Sequence, residues 1–85
     1  MAVKVRITPA ALVELAALHE PILSRVNRAM ARLADWPEVS GTKPLGGKLK
    51  GHYRVRAGDW RIVFKPTGES VIVVRIANRR DVYED

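Results

Sequence analysis

Residues 52–66, "HYRVRAGDWRIVFKP", alternate basic and apolar side chains along two runs that are separated by a Gly-Asp pair. Alternation with a period of two is typical of β-strands, and a two-residue break that contains glycine is typical of a β-hairpin. Successive side chains of a strand point to opposite faces of the sheet. The segment therefore predicts a hairpin with one apolar face and one basic face, which carries Arg54, Arg56 and Arg61.

Two further strands are predicted outside this hairpin. Residues 3–7, "VKVRI", alternate in the same way, and residues 70–77, "SVIVVRIA", form a longer apolar run near the end of the chain. By the same period of two, we expect the core face of the three carboxy-terminal strands to consist of Tyr53, Val55, Ala57, Trp60, Ile62, Phe64, Ile72, Val74 and Ile76. The opposite face then also receives Val71, Val73 and Arg75.

Two helices are predicted between the first strand and the hairpin. Thr8 and Pro9 form a typical helix start, with threonine as the N-cap and proline at the first helical position. A second helix is expected to begin near Pro21 and to end before Pro37, because apolar residues recur every three or four positions between them. Residues 40–51 are rich in glycine, and we interpret them as a mobile connection.

Composition limits the class of protein. Residues 1–85 are expected to form one α+β domain of order βααβββ, in which a two-helix hairpin packs on one face of an antiparallel sheet. A hydrophobic content of 47% is too high for a disordered chain. No apolar run reaches the roughly 20 residues of a membrane helix, and residues 1–10 lack the apolar stretch of a signal peptide. The chain contains no cysteine, which excludes disulfides and thiolate ligands. We expect a cytoplasmic protein without membrane contact.

Positive charge is concentrated in the hairpin. The net charge is +6; residues 1–42 hold five basic and four acidic side chains, whereas residues 43–65 hold seven basic side chains and one acidic. The basic face of the predicted sheet collects four arginines, and a bound polyanion would relieve their mutual repulsion. The alternative is a solvated face whose arginine stems cover apolar surface. Charge alone does not choose between nucleic acid and an acidic protein as the partner.

Two more basic groups extend this pattern. Arg79, Arg80 and Tyr83 follow the last strand directly, and a tyrosine ring beside guanidiniums can stack on a base while the cations contact phosphates. The other group is a row along one side of the second helix, at spacings of three and four, and consists of Arg25, Arg28 and Arg32. We interpret this row either as a solvated helix face or as a contact with an RNA backbone.

These segments together resemble the RelE/ParE superfamily of bacterial and archaeal toxins, and particularly its RelE-like branch. The resemblance covers nearly the whole chain. It implies a sheet with two helices on one face and a basic cleft on the other. The residues that carry it are Leu49-x-Gly51-x-Tyr53-x-x-Arg56, Gly58-x-x-Arg61-x-x-Phe64 and Asn78-Arg79-Arg80-Asp81-Val82-Tyr83.

The RelE-like branch implies an enzyme. Such toxins are ribosome-dependent endoribonucleases that inhibit translation by cleaving mRNA in the ribosomal A site, where a ribose 2′-hydroxyl attacks the adjacent phosphate. They need no metal and no cofactor. The catalytic residues that the resemblance implies are Arg56, Arg61, Arg79 and Tyr83. Further RNA contacts are expected from Lys48, Lys50, His52, Arg54, Arg75 and Arg80.

In such a site Arg61 would stabilise charge on the phosphorane, Arg79 would assist the leaving oxygen, and Tyr83 would stack on a base or relay a proton. Arginine stays protonated, so the arginines are poor general bases and the acid-base step is unassigned. His52 is a candidate titrating group. The alternative for His52 is a solvated histidine at the edge of a strand.

The ParE-like branch gives a second hypothesis from a different class. Its members share the fold but poison DNA gyrase without being nucleases, and they tend to have a longer helical hairpin and fewer basic residues in the cleft. The short hairpin of residues 8–35 and the arginine-rich face favour the ribonuclease. Either branch implies a cognate antitoxin, encoded beside the toxin, as a partner, and a heterotetramer of the two proteins is one assembly in keeping with this. The ribonuclease hypothesis adds the ribosome and mRNA as partners.

Overall fold

The computed structural model describes residues 2–81 and contains one mixed β-sheet with the strand order β1-β5-β4-β3-β2. The strands are β1 (Lys4–Ile7), β2 (Thr42–Pro44), β3 (Tyr53–Ala57), β4 (Trp60–Pro66) and β5 (Ser70–Asn78). Strands β2 to β5 pair antiparallel with their neighbours, whereas β1 runs parallel to β5. The α+β class is confirmed, but the sheet is not wholly antiparallel.

The short strand β2 explains the parallel edge. It lies within residues 40–51, which were expected to be a connection without a strand. The described residues therefore contain five strands instead of the predicted four. When each element reverses the chain direction, β2 adds one reversal between β1 and β5. The edge pair that the order βααβββ would make antiparallel thereby becomes parallel.

Both predicted helices are present on one face of the sheet. Helix α1 spans Pro9–Ala16, and the Thr8 hydroxyl accepts a hydrogen bond from the Ala11 amide at 3.2 Å, which confirms the predicted N-cap. Helix α2 spans Ile22–Arg32 and continues into a 3₁₀ turn, Leu33–Asp35, that ends before Pro37. Helix α1 packs against β5, and α2 packs against β3 and β4.

The core lies between the helices and this face. Its largest fully buried side chains are Phe64, Leu33, Ile62, Ile76, Val26, Val55, Val71 and Val73. Three aromatic rings pack together in this core. The ring centroid of Trp36 lies 4.8 Å from that of Tyr53 and 5.2 Å from that of Phe64. Alternation in β3 and β4 therefore predicted the core face correctly.

In β5 the predicted faces are wrong for the first half of the strand. Ile62 of β4 pairs with Ile76, but Phe64 pairs with Val73, so Val74 is an extra residue at a β-bulge. The bulge shifts the alternation by one residue. Val71 and Val73 consequently lie in the core, whereas Ile72 and Val74 do not.

Residues 40–51 are folded against the other face of the sheet. Besides β2 they form a 3₁₀ turn, Gly47–Leu49, and the backbone amides of Leu45 and His52 close the segment through hydrogen bonds of 2.9 Å. Leu45 is buried against Val63 and Ala77 in a second, smaller apolar cluster. The interpretation of this segment as a mobile connection is therefore wrong, and the second sheet face is partly apolar. No helix within residues 2–81 is long and apolar enough to cross a membrane.

Candidate functional site

The sheet face that the helices leave open carries two adjacent rows of side chains across β3, β4 and β5. Directly opposed side chains in antiparallel strands have Cβ atoms about 5 Å apart. The strand register therefore brings the backbone positions of four arginines close together. The first row consists of Arg54, Val63 and Arg75, and the second consists of Arg56, Arg61 and Ala77.

Two of these arginines are buried. Arg54 is 7% exposed and Arg61 is 6% exposed. The Arg61 Nη1 donates to the carbonyls of Gly58 at 3.3 Å and Trp60 at 3.5 Å, and the Arg54 Nη1 donates to the Gly41 carbonyl at 3.5 Å. A solvated sheet face is therefore the wrong description of these two side chains. Away from bulk water, their charges act more strongly on any anion that reaches them.

Arg56 lies opposite Arg61 in the register, on the same sheet face, and its side chain is exposed. Strand β2 reaches only as far as Val55, so the edge of β3 is open at Arg56. There Arg56 lines a shallow depression together with the α2 arginines that were identified as a helical row. Arg56, which was expected at the catalytic centre, thus borders both the open face and the depression beside helix α2.

Arg75 forms an ion pair with Glu14, a residue that was not among the predicted site residues. Strand β1 ends opposite Val73, which leaves the edge of β5 open beyond that residue. Glu14 of α1 covers this edge: its Oε1 accepts a hydrogen bond from the Ile76 amide at 2.8 Å, and its Oε2 lies 3.6 Å from the Arg75 Nε. The available signal was a single acidic residue in the otherwise apolar helix "PAALVELA".

Two cavities meet at Arg75. One, of about 580 Å³, is lined by Arg75 and by the 3₁₀ turn with Gly47, Lys48 and Leu49. The other, of about 450 Å³, extends from Arg75 past Trp60 and Asn78 and includes Glu14 and Asp81. Lys48 and Arg75 are thus brought together across the open face, whereas Lys50 is exposed and does not line either cavity.

His52 is partly buried at the start of β3. Its Nδ1 atom is enclosed and has no hydrogen-bond partner among the described residues. Any proton exchange between His52 and a bound ligand would consequently run through Nε2. The hypothesis that His52 is a solvated edge histidine does not fit the enclosed nitrogen.

The turn after β5 is anchored to the β3–β4 hairpin. The Arg79 amide donates to the Asp59 carbonyl at 2.8 Å, next to the Gly58 carbonyl that binds Arg61. The Arg80 amide donates to the Asn78 Oδ1 at 3.2 Å, and both arginine side chains are exposed. Arg79 therefore lies at the Arg61 end of the sheet. The predicted site residue Tyr83 lies outside the described residues.

The described part of the chain holds no cluster of three or more His, Asp or Glu side chains that could bind a metal ion. What the site offers chemically is fixed positive charge: two buried guanidiniums, a third guanidinium paired with a carboxylate, and a lysine across a cavity. Guanidiniums in fixed positions match phosphate oxygens through two parallel hydrogen bonds. The arrangement is suited to a phosphodiester ligand.

Solved structures with the same fold are toxins. A chain of the RelBE2 toxin-antitoxin complex of Mycobacterium tuberculosis is 27% identical with a TM-score of 0.81, and the match covers 93% of this chain and 100% of that chain. The RelE-RelB complex of Pyrococcus horikoshii gives 21% identity and a TM-score of 0.76, with 96% and 100% covered. The YoeB/ParE toxin of Agrobacterium tumefaciens is 17% identical with a TM-score of 0.74, and the match covers 88% of this chain and 96% of that chain.

Comparison with curated protein sequences gives no significant match. The sequence profile of the ParE toxin of type II toxin-antitoxin systems, parDE, matches residues 5–83, which is nearly the whole chain. This match agrees with the RelE/ParE resemblance of the sequence motifs and with the toxin fold of the structure. The chain therefore belongs to the ParE toxin family of type II toxin-antitoxin systems, within the RelE/ParE superfamily.

Proposed function

We propose that this toxin is a ribosome-dependent endoribonuclease that cleaves mRNA in the ribosomal A site. The observation that supports this best is the pair of buried arginines, Arg54 and Arg61, on the open sheet face. Removing a guanidinium from water is costly, and a surface that only needed solubility would leave its arginines exposed. Fixed cations are most useful where negative charge develops during a reaction.

The reaction that fits this site is an internal transesterification of RNA. The ribose 2′-oxygen attacks the adjacent phosphorus, a pentacovalent phosphorane forms, and the bond from phosphorus to the 5′-oxygen breaks. The 2′-hydroxyl gives up one proton, the 5′-oxygen takes up one, and a cyclic phosphate and a 5′-hydroxyl result. The protein has to stabilise the phosphorane charge and to transfer these two protons.

The residues of the open face divide this work as follows. Arg61, with Arg54 beside it, stabilises the phosphorane, because both guanidiniums are held by backbone carbonyls. Arg75 and Lys48 line one cavity and bind flanking phosphates. Arg79 lies at the Arg61 end of the sheet and assists the leaving oxygen. Arg80 and Lys50 are exposed and contribute charge at the rim of the site.

The proton transfers need a group other than arginine. His52 is the histidine at the start of β3, beside Arg54, and its Nε2 is the atom that would transfer a proton. Tyr83 is the second candidate. Ribosomal RNA would complete the site by positioning the 2′-hydroxyl in line with the leaving oxygen.

We further propose that a cognate antitoxin binds this toxin. The similar chains from M. tuberculosis and P. horikoshii were solved as toxin-antitoxin complexes. A net charge of +6 with a concentration of arginines on one face favours an antitoxin segment that is acidic. Binding of such a segment over the open face would block access to Arg61.

DNA gyrase is the second candidate target. The sequence profile that matches residues 5–83 is that of a ParE toxin, and ParE-like toxins act on gyrase without cleaving RNA. The short helices, Pro9–Ala16 and Ile22–Arg32, and the buried arginines favour the ribonuclease. A ribosomal target also implies action in the cytoplasm.

One paired experiment tests the two candidates. The purified toxin is added to a reconstituted translation reaction, in which the 5′ ends of the mRNA are mapped, and separately to a gyrase supercoiling assay. We expect mRNA cleavage that requires ribosomes, and unchanged supercoiling. Intact mRNA together with trapped gyrase-DNA complexes would refute the ribonuclease and establish the gyrase hypothesis.

A further inference from the structure

We propose that this toxin has a second RNA-binding surface, separate from the open face, that takes the phosphate backbone of structured RNA. The surface, called the α2 surface below, is the depression between helix α2 and the β3–β4 turn. It is lined by Arg25, Arg28, Ala29, Arg32, Arg56, Ala57 and Gly58. The inference does not depend on whether the toxin cleaves mRNA.

The fold assembles this surface from distant parts of the sequence. Arg25, Arg28 and Arg32 follow one side of α2 at spacings of three and four, so they span about 10 Å along the helix axis. Arg56 joins them from β3 because β2 stops short of that position. Gly58 has a positive φ of 62°, and a Cβ there would lie 3.9 Å from the Arg25 Nη1. The Arg25 guanidinium therefore lies beside the hairpin turn.

The charges of the α2 surface are not neutralised within the described chain. The ion pair between Arg75 and Glu14 lies on a different part of the protein. The side chains of Arg25, Arg28 and Arg56 form no hydrogen bond or ion pair with other described residues. Like charges at these spacings destabilise an isolated helix by about 0.2–0.5 kcal/mol per pair. A bound anion would remove this repulsion.

The lining favours a phosphate backbone over a protein partner. Apart from the guanidiniums it consists of glycine and two buried alanines, so it offers no apolar pocket or aromatic ring that a peptide could use as an anchor. The same lack of aromatic rings disfavours single-stranded RNA, whose bases need a stacking platform. Structured RNA is recognised mainly through its shape and backbone, for which a row of guanidiniums is sufficient.

One member of the row is fixed. The Arg32 Nη2 donates to the Ser40 carbonyl at 2.7 Å and to the Ser40 hydroxyl at 3.1 Å, which ties the end of α2 to the segment that precedes β2. A test variant should keep this contact, because its loss could affect folding. We therefore choose Arg25, Arg28 and Arg56 for substitution.

The test measures binding of a fluorescently labelled RNA duplex of about 16 base pairs, the length that double-stranded RNA-binding domains span, over a range of salt concentrations. The test variant is R25Q/R28Q/R56Q, and the control K4Q/R6Q/K65Q removes three exposed charges elsewhere. We expect the test variant to bind at least tenfold more weakly and the slope of log K against log salt to fall by about 2, at 0.7–0.9 for each lost phosphate contact. The variant R25K/R28K/R56K should keep most of the slope. Thermal melting checks folding.

Three outcomes would overturn the proposal. Equal weakening by the control variant would show that only net charge matters. Weaker binding of a single-stranded RNA with unchanged duplex binding would place the three arginines in the mRNA site. Weaker binding of a polyglutamate peptide with unchanged duplex binding would make the surface a site for an acidic protein. Because binding is measured without cleavage, failure of the ribonuclease hypothesis would leave this result interpretable.

Discussion

Arg61 offers the sharpest test of the proposed chemistry, and Arg61→Met is the variant that separates charge from packing. Arg61 is only 6% exposed, so an alanine would leave a space where the stem of the arginine packs. Methionine fills most of that space without a charge. Among the contacts of Arg61, the change removes hydrogen bonds of 3.3 and 3.5 Å and the repulsion from the opposed Arg56. We expect the net change in the free energy of unfolding to be within about 1 kcal/mol.

Cleavage should respond much more strongly than stability. Loss of one preorganised donor to a transition-state oxyanion commonly lowers the rate on the order of a hundredfold or more, which corresponds to about 2.7 kcal/mol of activation free energy. Arg61→Lys should restore only part of the rate, because an ammonium keeps the charge but cannot form two parallel hydrogen bonds with a phosphate. The assay is single-turnover cleavage of mRNA on saturating ribosomes.

Lys65→Met is the matched control, since it removes one positive charge from the same face of the same strand, at an exposed position. It should cleave at nearly the normal rate. If folded Arg61→Met protein also cleaves at nearly the normal rate, Arg61 has no part in the chemistry, and the open face is then a docking surface.

Two further predictions concern groups outside the chemistry. Glu14→Ala should lower the free energy of unfolding by about 1–3 kcal/mol, because the Ile76 amide loses its acceptor at the open edge of β5. Glu14→Gln keeps an acceptor, so its loss of unfolding free energy, measured by urea denaturation, should be less than half as large. Equal losses in the two variants would contradict this role. Hydrogen bonds from the Ser24 hydroxyl and then the Ser24 amide lower the pKa of the exposed Glu20 carboxyl. A carboxyl whose pKa is lowered by folding stabilises the protein above its unfolded-state pKa, and this stabilisation disappears as the pH falls. The wild type should therefore have a higher melting temperature than Glu20→Gln near pH 7 and the same melting temperature at about pH 2. A difference that persists in acid would contradict the assignment.

The parts of the fold that the sequence predicted are those with a clear period. Strict alternation identified the core faces of β3 and β4, and Thr8-Pro9 identified the start of α1, since local chemistry determines both. The run "SVIVVRIA" is apolar on both faces, so no alternation marks the bulge at Val74. Strand β2 has three residues, one of them proline, and depends on its pairing with β3.

The sequence predicted the strands that carry the candidate site residues, but not how these residues are arranged. Alternation gave the correct strand faces for Arg54 and Arg61, but it carries no information about burial, which depends on how residues 40–51 fold over the sheet. Glu14 contacts Arg75 and Ile76, and Glu14 and Ile76 are 62 positions apart in the sequence. No local sequence pattern could indicate these contacts. The access of Arg56 to the depression beside helix α2 likewise depends on where β2 ends.

The placement of Arg56 and Arg61 connects the two basic surfaces. The register sets these two arginines directly opposite each other, an arrangement that like charges disfavour. The conflict is reduced because the Arg61 guanidinium donates to a carbonyl of the hairpin turn, whereas Arg56 is exposed to solvent and borders the depression beside helix α2. One cross-strand pair therefore supplies a residue to each surface, on either side of the turn at Gly58. Because the two surfaces meet there, RNA bound by the α2 surface would lie beside the proposed cleavage site. If both proposals hold, the toxin would hold structured RNA at one surface next to the site where it acts on a single strand.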